Sequence, residues 1–328
     1  MSTTVTAETE FLYFGKVPSR GDFVRSTRHV SLINSIDTWQ SQAMERLSTD
    51  PRWKLIYDAA PPVHFAIVGT GNHVGLVGHW LASQDASGRR FPFITAGVFD
   101  LAEPREFGPL APVALARTWA RLEQVARVAH AATELEHAQA SLNASLDVEV
   151  MPASAQAAFD DFLETHTVAS LEQMLAAAGT RMSVRQATLA LGMLLQPAMA
   201  QGAAKLSKVL CLPLVQDAAL RGPVASYWLS LILVFFQRHQ VELGLFMAVR
   251  DGRPQMLIGF HGASAATLHA VIDPAALTAQ GVSLLDSEWV EDEVASDYGL
   301  RKLSNYLLDP SLSLAQVLRT YREVFLGA

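Results

Sequence analysis

Two glycine-bearing turns, each set between apolar runs of strand length, constrain this chain most. Val63-His64-Phe65-Ala66-Ile67-Val68 and Val74-Gly75-Leu76-Val77-Gly78-His79-Trp80-Leu81 flank a turn at residues 69–73. Residues 243–249 and 255–260 flank Asp251-Gly252 in the same way. Such patterns read as β-hairpins, so antiparallel sheet is required in both halves of the chain. Phe11-Leu12-Tyr13-Phe14 adds a short aromatic strand, residues 91–99 a third N-terminal strand, and residues 208–214 a C-terminal one.

Helical spacing fills the rest. Ser31 reads as an N-cap for residues 32–47, where Leu32, Ile36, Trp39, Ala43 and Leu47 share a face. One alanine-rich helix is expected over residues 112–142, and further helices over 152–177 and 183–199 with a stop at Gly179. A buried helix is expected at 224–239, and others at 265–272 and 314–325. The fold class is therefore α/β of the α+β kind, with antiparallel meander sheets packed by helices. The expected organisation is an N-terminal α/β domain (1–145), a helical segment (146–204) and a C-terminal α/β domain (205–328). Each half repeats the order strand, helix, hairpin without repeating residues.

Composition narrows the function. Of 328 residues, 50% are apolar and 17% charged, which excludes a disordered chain. A net charge of −7 leaves no global basic field for nucleic acid. The longest apolar run, residues 227–236, is too short to span a bilayer, which takes about 20 residues. The polar first ten residues have no basic start, so they do not read as a signal peptide. The single cysteine, Cys211, lies in an apolar run and reads as a buried small hydrophobe. A soluble, cytoplasmic protein without membrane insertion is expected.

The most informative stretch is Phe14-Gly15-Lys16-Val17-Pro18-Ser19-Arg20-Gly21-Asp22-Phe23-Val24-Arg25, followed by Trp39 on the first helix. A second patch, Asp85 and then Gly88-Arg89-Arg90-Phe91-Pro92-Phe93, enters a strand. Together they resemble the TagF (ImpM) family of type VI secretion accessory proteins, over about residues 11–100. The resemblance implies a profilin-like or longin-like α/β module and a cytoplasmic regulator that represses type VI secretion after translation. It also implies a protein partner, the forkhead-associated scaffold Fha, and no catalysis.

The residues themselves leave more than one reading open. Gly15 and Gly21 bracket a loop held by Pro18, which can lock strand to helix or present a partner-binding surface. Lys16, Arg20, Arg25, Arg89 and Arg90 offer five cations against Asp22 and Asp85. The loop and the turn at 85–90 are expected side by side, with Phe23 beside them. Asp22 can cap a helix or pair with Arg89 or Arg90. The loop is not a phosphate-binding Walker loop, because no glycine-lysine-serine/threonine ends it.

Other patterns are weaker. Gly69-Thr70-Gly71-Asn72-His73-Val74-Gly75 leads into a strand rather than a helix, which argues against a dinucleotide site. Ser264 sits at a strand-to-helix junction without the closing glycine of a nucleophile elbow and reads as an N-cap. Glu123, His130, Glu134 and His137 fall on one stripe of the expected long helix, but no matching second ligand set follows. Glu291-Asp292-Glu293 reads as solvated surface, and Trp53, Trp80, Trp228 and Trp289 as core. The expectation is thus a binding protein with no catalytic residues, metal or cofactor. The alternatives are a small-molecule-sensing module and, behind it, a hydrolase or metal enzyme.

Overall fold

The structure is a computed structural model that describes residues 7–143, 149–150 and 152–327. Its strands are β1 (Ala7–Glu8), β2 (Glu10–Gly15), β3 (Val24–Arg25), β4 (Val63–Gly69), β5 (Val74–Leu81), β6 (Phe93–Asp100), β7 (Glu149–Val150), β8 (Val209–Pro213), β9 (Glu242–Arg250), β10 (Arg253–Gly259) and β11 (Gly281–Ser283). β1 and β7 pair separately. The other nine form one sheet in the order β11-β8-β10-β9-β4-β5-β6-β2-β3. All its pairings are antiparallel except β11 with β8.

The expected N-terminal meander is β4-β5-β6, and the two expected hairpins are β4-β5 and β9-β10. Asp251 and Gly252 both take positive φ (49° and 74°), the geometry a two-residue hairpin turn needs. The two strand sets are not separate sheets. β4 pairs with β9 from His64↔Met247 to Gly69↔Glu242, so hydrogen bonding runs across both halves of the chain.

Strand alternation divides the core between the two faces. Along β4, Val63, Phe65 and Ile67 face one side, while Ala66 and Val68 face the other. The first face is covered by α1 (Val30–Leu47), α2 (Trp53–Asp58), α11 (Ala265–Ile272) and α12 (Pro274–Gln280). The second carries the larger helical layer. This comprises α3 (Pro104–Ala114), α4 (Ala116–Ala131), α5 (Leu135–Asn143), α6 (Pro152–Thr165), α7 (Val168–Ala177), α8 (Val184–Leu195), α9 (Ala198–Gln201), α10 (Ala218–Leu233), α13 (Val290–Ser296), α14 (Tyr298–Tyr306) and α15 (Leu314–Leu326). The result is three layers, helix on sheet on helix.

Several sequence readings need correction. Ser31 is not the cap of α1; the helix starts at Val30 after His29, which takes a left-handed φ of 56° without a side-chain cap. The single helix expected over 112–142 is three helices. Pro104 starts α3 at a position that needs no amide donor, and Ala132 turns extended to end α4. The buried helix α10 starts early, at Ala218, because the Asp217 carboxylate accepts from the Ala219 amide (2.9 Å). With the following 3-10 turn it forms a helix, Ala218–Phe236, that is long and apolar enough to cross a membrane; 78% of its most apolar window is buried inside the fold. Trp80 and Trp228 are core residues and Trp53 is half-buried, but Trp289 is 43% exposed.

Candidate functional site

The strand-end glycine sets the geometry. Gly15 pairs with Phe93 across β2–β6 and with Val24 across β2–β3, at a φ of 135° that side-chain-bearing residues rarely adopt. The chain then turns Lys16 inward, where its side chain is 9% exposed. Val17 is fully buried, Pro18 half-buried, and Gly21 and Asp22 are exposed.

Asp85, on the facing turn, is the hub. Its Oδ2 accepts from Lys16 Nζ (2.9 Å) and Arg89 Nε (2.7 Å). Its Oδ1 accepts from the Ser87 amide (2.9 Å), the Ser87 hydroxyl (2.7 Å) and the Arg89 amide (3.0 Å). The residue is 2% exposed. Burial pushes its carboxyl up, but the bonds from Ser87, Lys16 and Arg89 overcome this and hold it well below the usual carboxylate range.

Further bonds tie loop to turn. The Ala86 amide donates to the Arg20 carbonyl (2.9 Å), Arg89 Nη2 donates to the Gly21 carbonyl, and the Ser83 hydroxyl donates to the Lys16 carbonyl (2.6 Å). Tyr57 bridges from α2: its hydroxyl donates to the Ser83 carbonyl (2.9 Å) and accepts from the Ser83 amide (2.7 Å). Arg90 forks onto Asp58 with bonds of 2.8 and 2.7 Å. Phe14, Phe23 and Phe91 pack ring on ring, with Lys16 Nζ 5.2 Å from the Phe23 centroid.

The loop and the turn therefore lie side by side, and the motif residues divide into two groups. Lys16 and Arg89 share the Asp85 carboxylate and Arg90 pairs with Asp58, so three of the five expected cations are ion-paired within the fold. Asp22 caps no helix and pairs with neither Arg89 nor Arg90; its carboxylate accepts from the Phe23 amide (2.8 Å). Arg20 is half-buried and Arg25 exposed, and neither has an ion pair among the described residues. With Asp22, they are the motif's charged side chains that are exposed or half-buried and not ion-paired among the described residues. Tyr57, Asp58 and Ser83 were missed in the sequence, since only the folded turn brings α2 under the loop.

The remaining candidates resolve individually. The 69–73 turn is a hairpin loop pinned to the start of β9, with the Val241 amide donating to the Thr70 hydroxyl (3.0 Å). Ser264 caps α11, accepting from the Thr267 amide (3.4 Å). Burial pushes the Cys211 thiol up to about 11, which keeps it protonated and unreactive at neutral pH. Glu291 is not simply solvated: Arg185 and Gln186 hold it.

The expected stripe of Glu123, His130, Glu134 and His137 does not exist, because α4 ends at Ala131 and His137 lies on α5. Glu123 instead faces His64, its carboxylate 3.5 Å from Nε2. His64 in turn lies directly opposite His79 in the β4–β5 register. Counting outward from the hairpin turn reaches that pair, so this signal was present in the sequence.

Comparison with known proteins bears on the same region. Residues 13–146 match the model of the TagF N-terminal domain, type VI secretion system-associated. Among solved structures, the crystal structure of PA0076 from Pseudomonas aeruginosa PAO1 is similar at 22% identity, covering 45% of this chain and 78% of that one, with a TM-score of 0.34. No curated protein matches.

Proposed function

We propose that this protein, whose residues 13–146 match the type VI secretion system-associated TagF N-terminal domain, represses type VI secretion after translation by binding a protein partner, the forkhead-associated scaffold Fha. The reading makes it a binding protein that performs no turnover. The observation that supports it is this set of motif charges without ion pairs among the described residues. Half-buried Arg20 and exposed Asp22 lie on a loop whose backbone is fixed by the Lys16–Asp85–Arg89 node, and exposed Arg25 follows on β3. A loop held this way enters a complex with little ordering left to do, and free arginines steer and fork onto acidic groups.

The test separates surface from scaffold. Arg20→Glu with Arg25→Glu is expected to leave the thermal melt nearly unchanged, since exposed charges contribute roughly 0–1 kcal/mol each. Titrated against the forkhead-associated scaffold, the same variant is expected to lose about 1–3 kcal/mol of binding free energy, and cells carrying it should secrete as if the gene were deleted. Wild-type binding and wild-type secretion by a folded double variant would discard this surface. Arg89 is unsuited to the test, because its guanidinium holds Asp85 and the Gly21 carbonyl in place.

A further inference from the structure

On the helical-layer side of the sheet, at the β4–β9 seam, three metal-ligating side chains converge. His64 on β4 and His79 on β5 are cross-strand partners, with Nδ1 atoms 3.1 Å apart. Glu123 reaches them from α4, and one donor atom from each of the three lies within 4.8 Å of the others. Two imidazole nitrogens bound to one tetrahedral zinc stand about 3.3 Å apart, given zinc–nitrogen bonds of about 2.05 Å. The two Nδ1 atoms, hydrogen-bonded to each other, lie near that spacing, and the Glu123 carboxylate lies 3.5 Å from the other nitrogen of His64, Nε2. Glu123, half-exposed and on the longest side chain of the three, has the remaining distance to close.

We propose that His64, His79 and Glu123 form a binding site for a divalent transition metal of the zinc type, with a further coordination position open to the adjoining cavity. A two-histidine, one-carboxylate set suits zinc, and three protein ligands leave a place for water or another donor.

Three features support it. His79 is 2% exposed; its Nδ1 bonds to His64 Nδ1, while its Nε2 has no hydrogen-bond partner among the described residues, so this buried ring carries a second nitrogen that nothing else in the fold satisfies. The surroundings hold the ligands still: Trp119 stacks on His64 (centroids 5.8 Å apart) while its Nε1 donates to the Phe65 carbonyl (2.8 Å). The Thr95 hydroxyl anchors α4 one residue from Glu123, through the Leu122 carbonyl (2.9 Å). Finally, a cavity of about 270 Å³ opens onto all three ligands, walled by Pro62, Leu214, Arg221, Met247 and Pro254. Because Met247, Pro254 and Leu214 come from the C-terminal strand set, a metal here would sit where the two halves of the sheet join.

The experiment uses the full chain, purified without chelator or histidine tag. After incubation with zinc chloride and desalting, elemental analysis is expected to find stoichiometric zinc, and zinc should raise the melting temperature. Cobalt chloride should give the visible absorption of a tetrahedral nitrogen–oxygen site. Glu123→Gln, half-exposed and expected to fold, should weaken zinc binding at least about tenfold, and His64→Gln should do the same. Three results would overturn the proposal: no stoichiometric metal on the folded wild type, binding unchanged in both variants, or a cobalt spectrum with thiolate charge transfer, which would move the metal to Cys211. Because the cobalt measurement needs no substitution, it decides the matter even if a variant fails to fold.

Discussion

Gly15→Ala is expected to abolish the cooperative folding of this protein. A Cβ at that position would lie 2.0 Å from the Pro92 carbonyl oxygen and 2.7 Å from the Phe93 Cα. Both are backbone atoms at the start of β6, and β6 is held on its far side by β5. They cannot give way without opening the β2–β6 ladder, which runs from Glu10↔Val98 to Gly15↔Phe93. The φ of 135° adds strain for any L side chain. The combined cost should exceed about 4 kcal/mol, in the range reserved for backbone and core lesions. Gly21→Ala supplies the contrast. It belongs to the same motif, but a Cβ there meets nothing within 4 Å and its φ is not positive. It is expected to melt within a few degrees of wild type. Circular dichroism and thermal melts of the two variants check both statements, and a Gly15→Ala protein with a wild-type melt would refute the assigned strand end.

Asp85→Ala is expected to be the most damaging substitution of a charged residue in residues 13–146. It leaves the buried Lys16 ammonium without its carboxylate and removes the acceptor for the Ser87 and Arg89 donors. Removing one partner of a buried pair costs far more than the pair contributes over an apolar replacement. A drop in melting temperature of about 10 °C is expected for a chain of this size. Lys16→Met combined with Asp85→Leu should recover much of it, since neither charge then stays buried alone. The carboxylate also predicts an acid limb. Its folded pKa lies below the unfolded value of about 4, so as pH falls the unfolded chain takes up the proton first. The stabilisation is complete above about pH 4 and drains away as pH drops toward the lowered folded value. Melts between pH 5 and pH 2 should therefore fall more steeply for wild type than for Asp85→Asn. Equal slopes would mean that the carboxylate is not held ionised in the fold.

The motif was legible as spacing but not as roles. Gly15, Lys16, Asp85 and Arg89 could be picked out because glycine, charge and proline at short intervals have few uses. That Lys16 and Asp85 are buried partners while Arg25 is exposed depends on which way each side chain turns at the end of β2. Burial decides that, and residue type does not. Arg89 and Arg90 are adjacent in sequence yet serve different acids, Asp85 and Asp58, because alternate residues leave a strand entry on opposite sides.

The stripe of Glu123, His130, Glu134 and His137 shows the opposite failure. Helical spacing has meaning only while the helix continues, and the extended Ala132 ends it after His130. Besides Arg127 one turn along its own helix, Glu123 meets His64 and lies close to His79, β-strand histidines 59 and 44 residues upstream. No local period could have named them, although the β4–β5 hairpin register could have paired the histidines with each other.

What the sequence determined by itself was local: two hairpins fixed by glycine turns, amphipathic helices fixed by apolar spacing, and a short motif with a defined loop. These follow from φ restrictions and from the 2.0 and 3.6 residue periods, which act between near neighbours. The tertiary structure decided the joining of β4 to β9 into one sheet, the sorting of motif cations into buried anchors and free surface, and the meeting of His64, His79 and Glu123. Each of these depends on which edges and faces exclude water together. That choice is made by the free energy of the whole core, in which contacts between residues far apart in sequence outweigh local preference.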